Sequence, residues 1–190
     1  MNVITVFNPK GGTGKTTAVM AIASGLIEAG DRVAVLDISE PDHSQLTGSR
    51  FLPAWEVAMV ATGIGADRLV TAPAKTGKNM GEVLYGFAKR GFDHILIDTG
   101  TYPDQRTARA LDHSKLVIAP FRFAPEAAWV SNWVAENGYR AAPVVGLSTG
   151  MSHHCEDARL ALSTFIAGPV FRTNLPHCHL LDTQMQRGHL

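Results

Sequence analysis

The chain opens on a short apolar run, Val3, Ile4, Val6 and Phe7, interrupted only by Thr5. That is the pattern of a buried strand. A glycine-rich stretch follows, and then Val19, Ile22, Ala23, Leu26 and Ile27 recur at helical spacing up to a stop at Gly30. The same alternation continues downstream. "RVAVLD" predicts a strand ending at Asp37, "RLVTA" (68–72) a shorter strand, and "MGEVLYGFAKRG" (80–91) a helix with Val83, Leu84 and Phe87 on one side. "HILID" (94–98) predicts a buried strand, "PDQRTARALDHS" a helix and "KLVIAP" a strand. "PEAAWVSNWVAENG" predicts a helix from Pro125 to Gly138, because proline favours a first helical turn and glycine an end. "APVVGLST" then predicts a strand, "EDARLALSTFIA" a helix and "PVFRTNLP" a last strand, while "TAPAKTGKN" (71–79) is the most loop-like stretch. Alternating strands and helices predict an α/β fold, a doubly wound and mostly parallel sheet with helices on both faces. No repeat, low-complexity tract or linker divides the chain, so residues 1–190 are expected to form a single domain.

Composition narrows the class. With 190 residues, 45% hydrophobic and 18% charged, the chain can bury a sizeable core. No apolar stretch approaches the ~18 residues of a membrane span, and no basic region precedes the first strand as in a signal peptide. Cys155 and Cys178 alone make no disulfide framework. The expectation is a cytoplasmic protein without membrane attachment. A formal net charge of zero excludes the whole chain as an electrostatic glue for DNA. Nucleic-acid contact would need a local patch, for which Arg140, Arg159, Arg172 and Arg187 are candidates.

The chemistry concentrates in "NPKGGTGKTT", Asn8 to Thr17. Gly14-Lys15-Thr16 ends a phosphate-loop pattern, G-x-x-x-x-G-K-[ST], but the first glycine position holds Pro9 and an extra lysine, Lys10, follows it. Glycines 11, 12 and 14 let backbone N–H groups curl toward one point. Strand, glycine turn and helix N-terminus together form an anion site. Lys15 would reach the β- and γ-phosphates of a nucleotide, and the Thr16 hydroxyl would bind Mg²⁺.

Lys10-Gly11-Gly12-Thr13-Gly14-Lys15-Thr16-Thr17 resembles the deviant Walker A box, K-G-G-x-G-K-[ST]-[ST], of the ParA/MinD family of ATPases, which does not need glycine where Pro9 stands. The resemblance implies a P-loop NTPase fold, ATP and Mg²⁺ as ligands, and two ATP-bound subunits face to face with Lys10 reaching the partner's phosphates. A lysine at the loop mouth can bring positive charge to transition-state oxygens from outside its own pocket. Asp98 ends an apolar strand before Thr99 and resembles the family's Walker B aspartate, which holds Mg²⁺ through water. Residues 99–104 would be the second switch. The first switch departs from the family's D-x-D-P-Q. Here Asp37-Ile38-Ser39-Glu40-Pro41-Asp42 aligns at Asp37, but the water-positioning carboxylate becomes Ser39 without a gap or Glu40 with one inserted residue. Glu40 is favoured, and Asp42 is a further candidate. "TNLPHCHLLDTQMQRG" (173–188) resembles the segment that packs against adenine, which carries over Asn174, Pro176 and His177.

Two further groups carry plainer readings. "HHC" (153–155) and "HCH" (177–179) follow successive strands, but their spacing is no recognised zinc pattern, so polar loop residues are the expectation. Trp129 and Trp133 lie i, i+4 on one helix and are expected to pack in the core or a subunit interface. The resemblance implies an ATPase of the partition type. It would dimerise on ATP, bind DNA non-specifically, associate with the nucleoid, and be stimulated by a ParB-like or cargo-adaptor partner. Plasmid or chromosome partition, cargo positioning and assistance to conjugative DNA transfer are the family's jobs. The alternatives are a metabolic P-loop enzyme of the dethiobiotin synthetase type, against which Lys10 argues, and a scaffold with weak ATPase, which Ser39 motivates.

Overall fold

A computed structural model describes residues 1–39, 51–63, 67–73, 79–151 and 168–176. Strands β1 (Asn2–Val6), β2 (Val33–Ile38), β3 (Leu69–Pro73), β4 (His94–Thr99), β5 (Leu116–Phe121), β6 (Val144–Met151) and β7 (Leu175–Pro176) join in one sheet, ordered β3-β2-β4-β1-β5-β6-β7. Every pairing is parallel. The helices are α1 (Lys15–Glu28), α2 (Phe51–Ala61), α3 (Met80–Lys89), α4 (Gln105–Asp112) and α5 (Ala124–Glu136). The expected α/β architecture is the one observed.

The sheet is covered on both faces because its strands are apolar on both. Ile4 and Val6 pack with α1 and α2, through Val19, Ala23, Leu52 and Trp55. Val3, Leu36, Ile95 and Ile97 pack with α3 and α4, through Met80, Leu84, Phe87 and Ala110. Thr5, the polar break in the first strand, is fully buried but satisfied: its hydroxyl lies 2.6 Å from the Ser114 hydroxyl at the end of α4.

Three elements differ from expectation. Helix α2 went unpredicted, yet Leu52, Trp55 and Met59 recur at spacings of three and four and are all buried. Burying side chains of this size contributes about 2 kcal/mol each, and Pro53 falls in the first turn, where its missing N–H costs nothing. The expected strand in "PVFRTNLP" is only a bridge from Val170 to Gly146 followed by two-residue β7. Pro73, expected in the loop after the short strand 68–72, is the last residue of β3, and Asn79 at the end of that loop caps α3 by accepting a hydrogen bond from the Gly81 N–H. The helix expected in "EDARLALSTFIA" lies outside the described residues.

Candidate functional site

Parallel connections leave the carboxyl ends of β1, β2, β4, β5 and β6 along one edge, where open α/β sheets bind ligands. The stretch from Phe7 to Gly14 runs from β1 into α1 along this edge. Its only left-handed residues are Gly12 (φ 75°) and Gly14 (φ 88°). Position 9 needs no such conformation, so proline fits there. Asn8 fastens the loop in the place of the missing glycine. Its side-chain oxygen accepts from the Lys10 N–H at 2.9 Å, and its amide donates to the carbonyls of Pro120 at 2.9 Å and Glu126 at 3.3 Å.

Lys15 is buried, and its ammonium donates to the Lys10 carbonyl at 2.8 Å. Burial lowers its pKa, opposed by the charges of Asp98 and Glu126. The Walker lysine thus folds over the mouth of its own loop, where an anion would offer it a stronger partner than a carbonyl. The Thr16 hydroxyl donates to Asp98 Oδ2 at 2.7 Å. Asp98 is 1% exposed, and its Oδ1 has no hydrogen-bond partner. Burial pushes its carboxyl up to about 7; the Thr16 hydrogen bond and Lys15 oppose the shift, and the charge of Asp37 adds to it. Strand register sets Asp37 directly beside Asp98. Two carboxylates and a hydroxyl at one strand edge, with one buried carboxylate oxygen unsatisfied, fit a hard divalent cation with oxygen ligands. Thr16, Asp37 and Asp98 are therefore brought together at one strand edge. Among the described residues no three His, Cys, Asp or Glu side chains converge, so phosphate and water oxygens would complete the shell.

The two segments expected to be switches touch. Asp37 Oδ1 accepts from the Ser39 N–H at 2.8 Å, turning the chain just past β2. The Ser39 carbonyl then lies so close to Gly100 that a Cβ there would stand 2.7 Å from its oxygen. Thr99 donates from its hydroxyl to the Val6 carbonyl at 2.7 Å, tying the second switch to the phosphate-loop strand. Glu40 and Asp42 lie outside the described residues, as do His177, both His/Cys groups, Arg159 and Arg187.

Register sets Leu175 beside Thr149 and Pro176 beside Met151, so Asn174 and Pro176 approach the site from the β6 side. Thr149 does more than its neighbours suggested: its hydroxyl donates to the Thr13 carbonyl at 2.9 Å and its side chain covers Gly14. Asn8, Gly100, Arg122, Glu126 and Thr149 were not singled out from the sequence. Asn8 and Glu126 had a legible signal, a polar residue opening the loop and an acid in the first turn after Pro125. Thr149 had none, because its role depends on sheet order.

The tryptophan pair divides. Trp133 packs on Phe7 with ring centroids 4.7 Å apart, as a core residue should. Trp129 is 47% exposed, and the Lys10 ammonium lies 5.0 Å from its ring centroid. Lys10 also pairs with the buried Glu126 at 3.5 Å. Arg140 and Arg172 are exposed but lie in different loops, the first between α5 and β6, the second between Val170 and β7.

Comparison with known proteins agrees with this geometry. A family model described as an AAA domain matches residues 1–50, which contain the phosphate loop and Asp37. The chain is 29% identical over 126 residues to protein virC1 of Rhizobium rhizogenes, covering 66% of this chain and 51% of that one. It thus spans about half the length of that relative. Among solved structures, a chain of the MinC:MinD cell division protein complex of Aquifex aeolicus superposes with a TM-score of 0.72 at 16% identity, covering 100% of this chain and 86% of that one. A ParA family ATPase of Chlorobium tepidum gives 0.63 at 17% identity, with 99% and 89% covered. Cobyrinic acid a,c-diamide synthase of Mycobacterium smegmatis, with a bound ATP analogue and magnesium, gives 0.63 at 21%, with 94% and 88% covered. The chain thus shares the fold of these ATPases, and at the head of a parallel sheet of this order it carries an eight-residue box that resembles the deviant Walker A motif of the ParA/MinD family.

Proposed function

We propose that the chain is an ATP-switched dimer that binds DNA without sequence preference and partitions or positions a cargo, with slow hydrolysis stimulated by a ParB-like or adaptor partner. The single observation that carries this reading is Lys10. It stands at the loop mouth, half-exposed, on a side chain that Lys15 does not need for its own fold. The resemblance gives a lysine at this place an intersubunit role, which argues against a one-subunit phosphoryl-transfer enzyme. The backbone N–H groups of Gly11 to Thr17 and Lys15 hold the phosphates of ATP. Thr16 and Asp98, with Asp37 behind them, would hold Mg²⁺, which would supply positive charge against the phosphates. Lys10 of each subunit then reaches the nucleotide of the other. Asn174, Pro176 and His177 frame the base. Residues 1–190 act as one ATPase domain, cytoplasmic and nucleoid-bound in the ATP state.

Several features support the reading. The solved structure with an ATP analogue and magnesium shares this fold, and so does a ParA family ATPase. No described helix is long and apolar enough to cross a membrane. Glu40 is proposed to orient the attacking water, since a carboxylate does this better than the Ser39 hydroxyl. Single-turnover hydrolysis distinguishes them: Glu40→Ala should slow turnover by about 10²-fold, whereas a silent Glu40→Ala with a faster Ser39→Asp would assign the place to position 39.

The function is tested by gel retardation of arbitrary duplex DNA. Retardation should require ATP, fail with ADP, and weaken steeply with salt, because backbone contacts release counterions. Binding that ignores the nucleotide, or that selects one sequence, would overturn the DNA role.

A further inference from the structure

Glu126 is the most unusual acid outside the metal-binding group. It sits in the first turn of α5 with its side chain 1% exposed, yet it faces two cations. Its Oε2 accepts from the Arg122 N–H at 2.7 Å. Its Oε1 is shared by the Arg122 guanidinium at 3.1 Å and the Lys10 ammonium at 3.5 Å. Burial pushes the carboxyl up, but the two Arg122 hydrogen bonds and the charges of Arg122 and Lys10 outweigh it and hold the group below the usual range. Lys10 therefore rests in cis, on Glu126 and the face of Trp129, and must leave both if it is to serve a partner.

That departure carries a hazard. A buried carboxylate stripped of its only cation is strongly disfavoured. Arg122 removes the hazard. Its contact with Glu126 is the shorter of the two, it makes a second bond through its own backbone, and its stem is wedged between the phosphate loop and β6. A Cβ on Gly12 would stand 3.6 Å from Arg122 Nη2, and one on Gly150 would stand 3.4 Å from its Cδ. When Lys10 withdraws, Glu126 keeps two hydrogen bonds and a full positive charge.

We propose that Arg122 is the positioning residue that frees Lys10: by neutralising Glu126 permanently, it lets the lysine exchange a cis contact for the partner's nucleotide. This rests on the ATP-switched dimer proposed above. It adds that the concentration of ATP needed for dimerisation is set by how tightly the first turn of α5 holds Lys10.

The test compares Arg122→Met, Glu126→Gln and the double variant. Mass is followed by light scattering across a titration with a slowly hydrolysed ATP analogue and Mg²⁺, and nucleotide affinity by calorimetry on dilute protein. In Arg122→Met, Lys10 is the last cation on Glu126. Half-dimerisation should need about 10-fold more analogue, within the usual span of a coupling between two events, while monomer affinity stays within about 3-fold, well inside that span. Glu126→Gln should dimerise at lower analogue concentration than the parent. The double variant should return to the parent's behaviour or better, a rescue that mere damage to the fold would not produce. Should Arg122→Met fold poorly, the shift in Glu126→Gln and the recovery in the double variant decide alone. An Arg122→Met deficit that persists in the double variant, an unshifted Glu126→Gln, or a loss of monomer affinity equal to the loss of dimer would each overturn the proposal, the last in favour of a direct phosphate contact. Lys10→Ala serves as the separate control: if it dimerises like the parent, the dimer reading itself fails, whatever Arg122 does.

Discussion

At the level of single residues, the site is organised by groups whose partners are incomplete. Lys15 donates to a backbone carbonyl and Asp98 keeps one buried oxygen unsatisfied. Both arrangements are poor by the usual accounting of buried polar groups and suit a ligand that brings phosphate and metal. Lys15→Ala removes the flexible cation from the cradle and should abolish ATP binding in calorimetry; equal affinity in mutant and parent would refute the assignment. Asp98 adds a pH dependence. Its carboxyl titrates near 7 in the fold against an ordinary value of 3.8, so between those limits the folded chain holds a proton that the unfolded chain has lost. This group's contribution to stability therefore falls as pH rises from about 4 to 7 and is level above that. Asp98→Asn should stabilise the nucleotide-free protein little at pH 4 and by at most about 4 kcal/mol at pH 8. Urea unfolding at the two pH values checks this, and a gain independent of pH would show that the carboxyl is not buried as described.

Elements were legible where their pattern was local. The strands at β1, β2, β4 and β5 announce themselves as apolar runs, and the phosphate loop as a fixed spacing of glycines and lysine. Thr16, Lys15 and Asp98 follow from those patterns directly. Helix α2 was overlooked because Pro53 reads as a breaker, although Leu52, Trp55 and Met59 were there to be counted. What makes α2 a helix is the sheet face it covers, a property of packing and not of propensity. Trp55→Ala should accordingly cost about 3–5 kcal/mol in denaturant unfolding; a cost below about 1 kcal/mol, that of an ordinary surface change, would mean that α2 is not anchored by that ring. The cross-element contacts were beyond local patterns. Thr149 on Thr13, Ser39 against Gly100 and Lys10 on Glu126 all require the sheet order that brings β5 and β6 to one side of β1 and β2 and β4 to the other.

For the molecule as a whole, one carboxyl edge gathers the glycine loop, the Thr16–Asp98 pair with Asp37 beside it, the Ser39–Gly100 contact and Lys10. The exposed aromatics Tyr102, Phe123 and Trp129 lie in the loops and helix turn that border it. In the dimer proposed above, each subunit's Lys10 and each rim would be covered by the other. The most direct test is the mass of the protein in solution by light scattering. With a slowly hydrolysed ATP analogue and Mg²⁺ the mass should rise to twice the 20.4 kDa of the chain; with ADP it should remain at that of the chain, and Lys10→Ala should stay monomeric with either nucleotide. A mass that does not change between ADP and the ATP analogue, or a Lys10→Ala protein that doubles like the parent, would contradict the account.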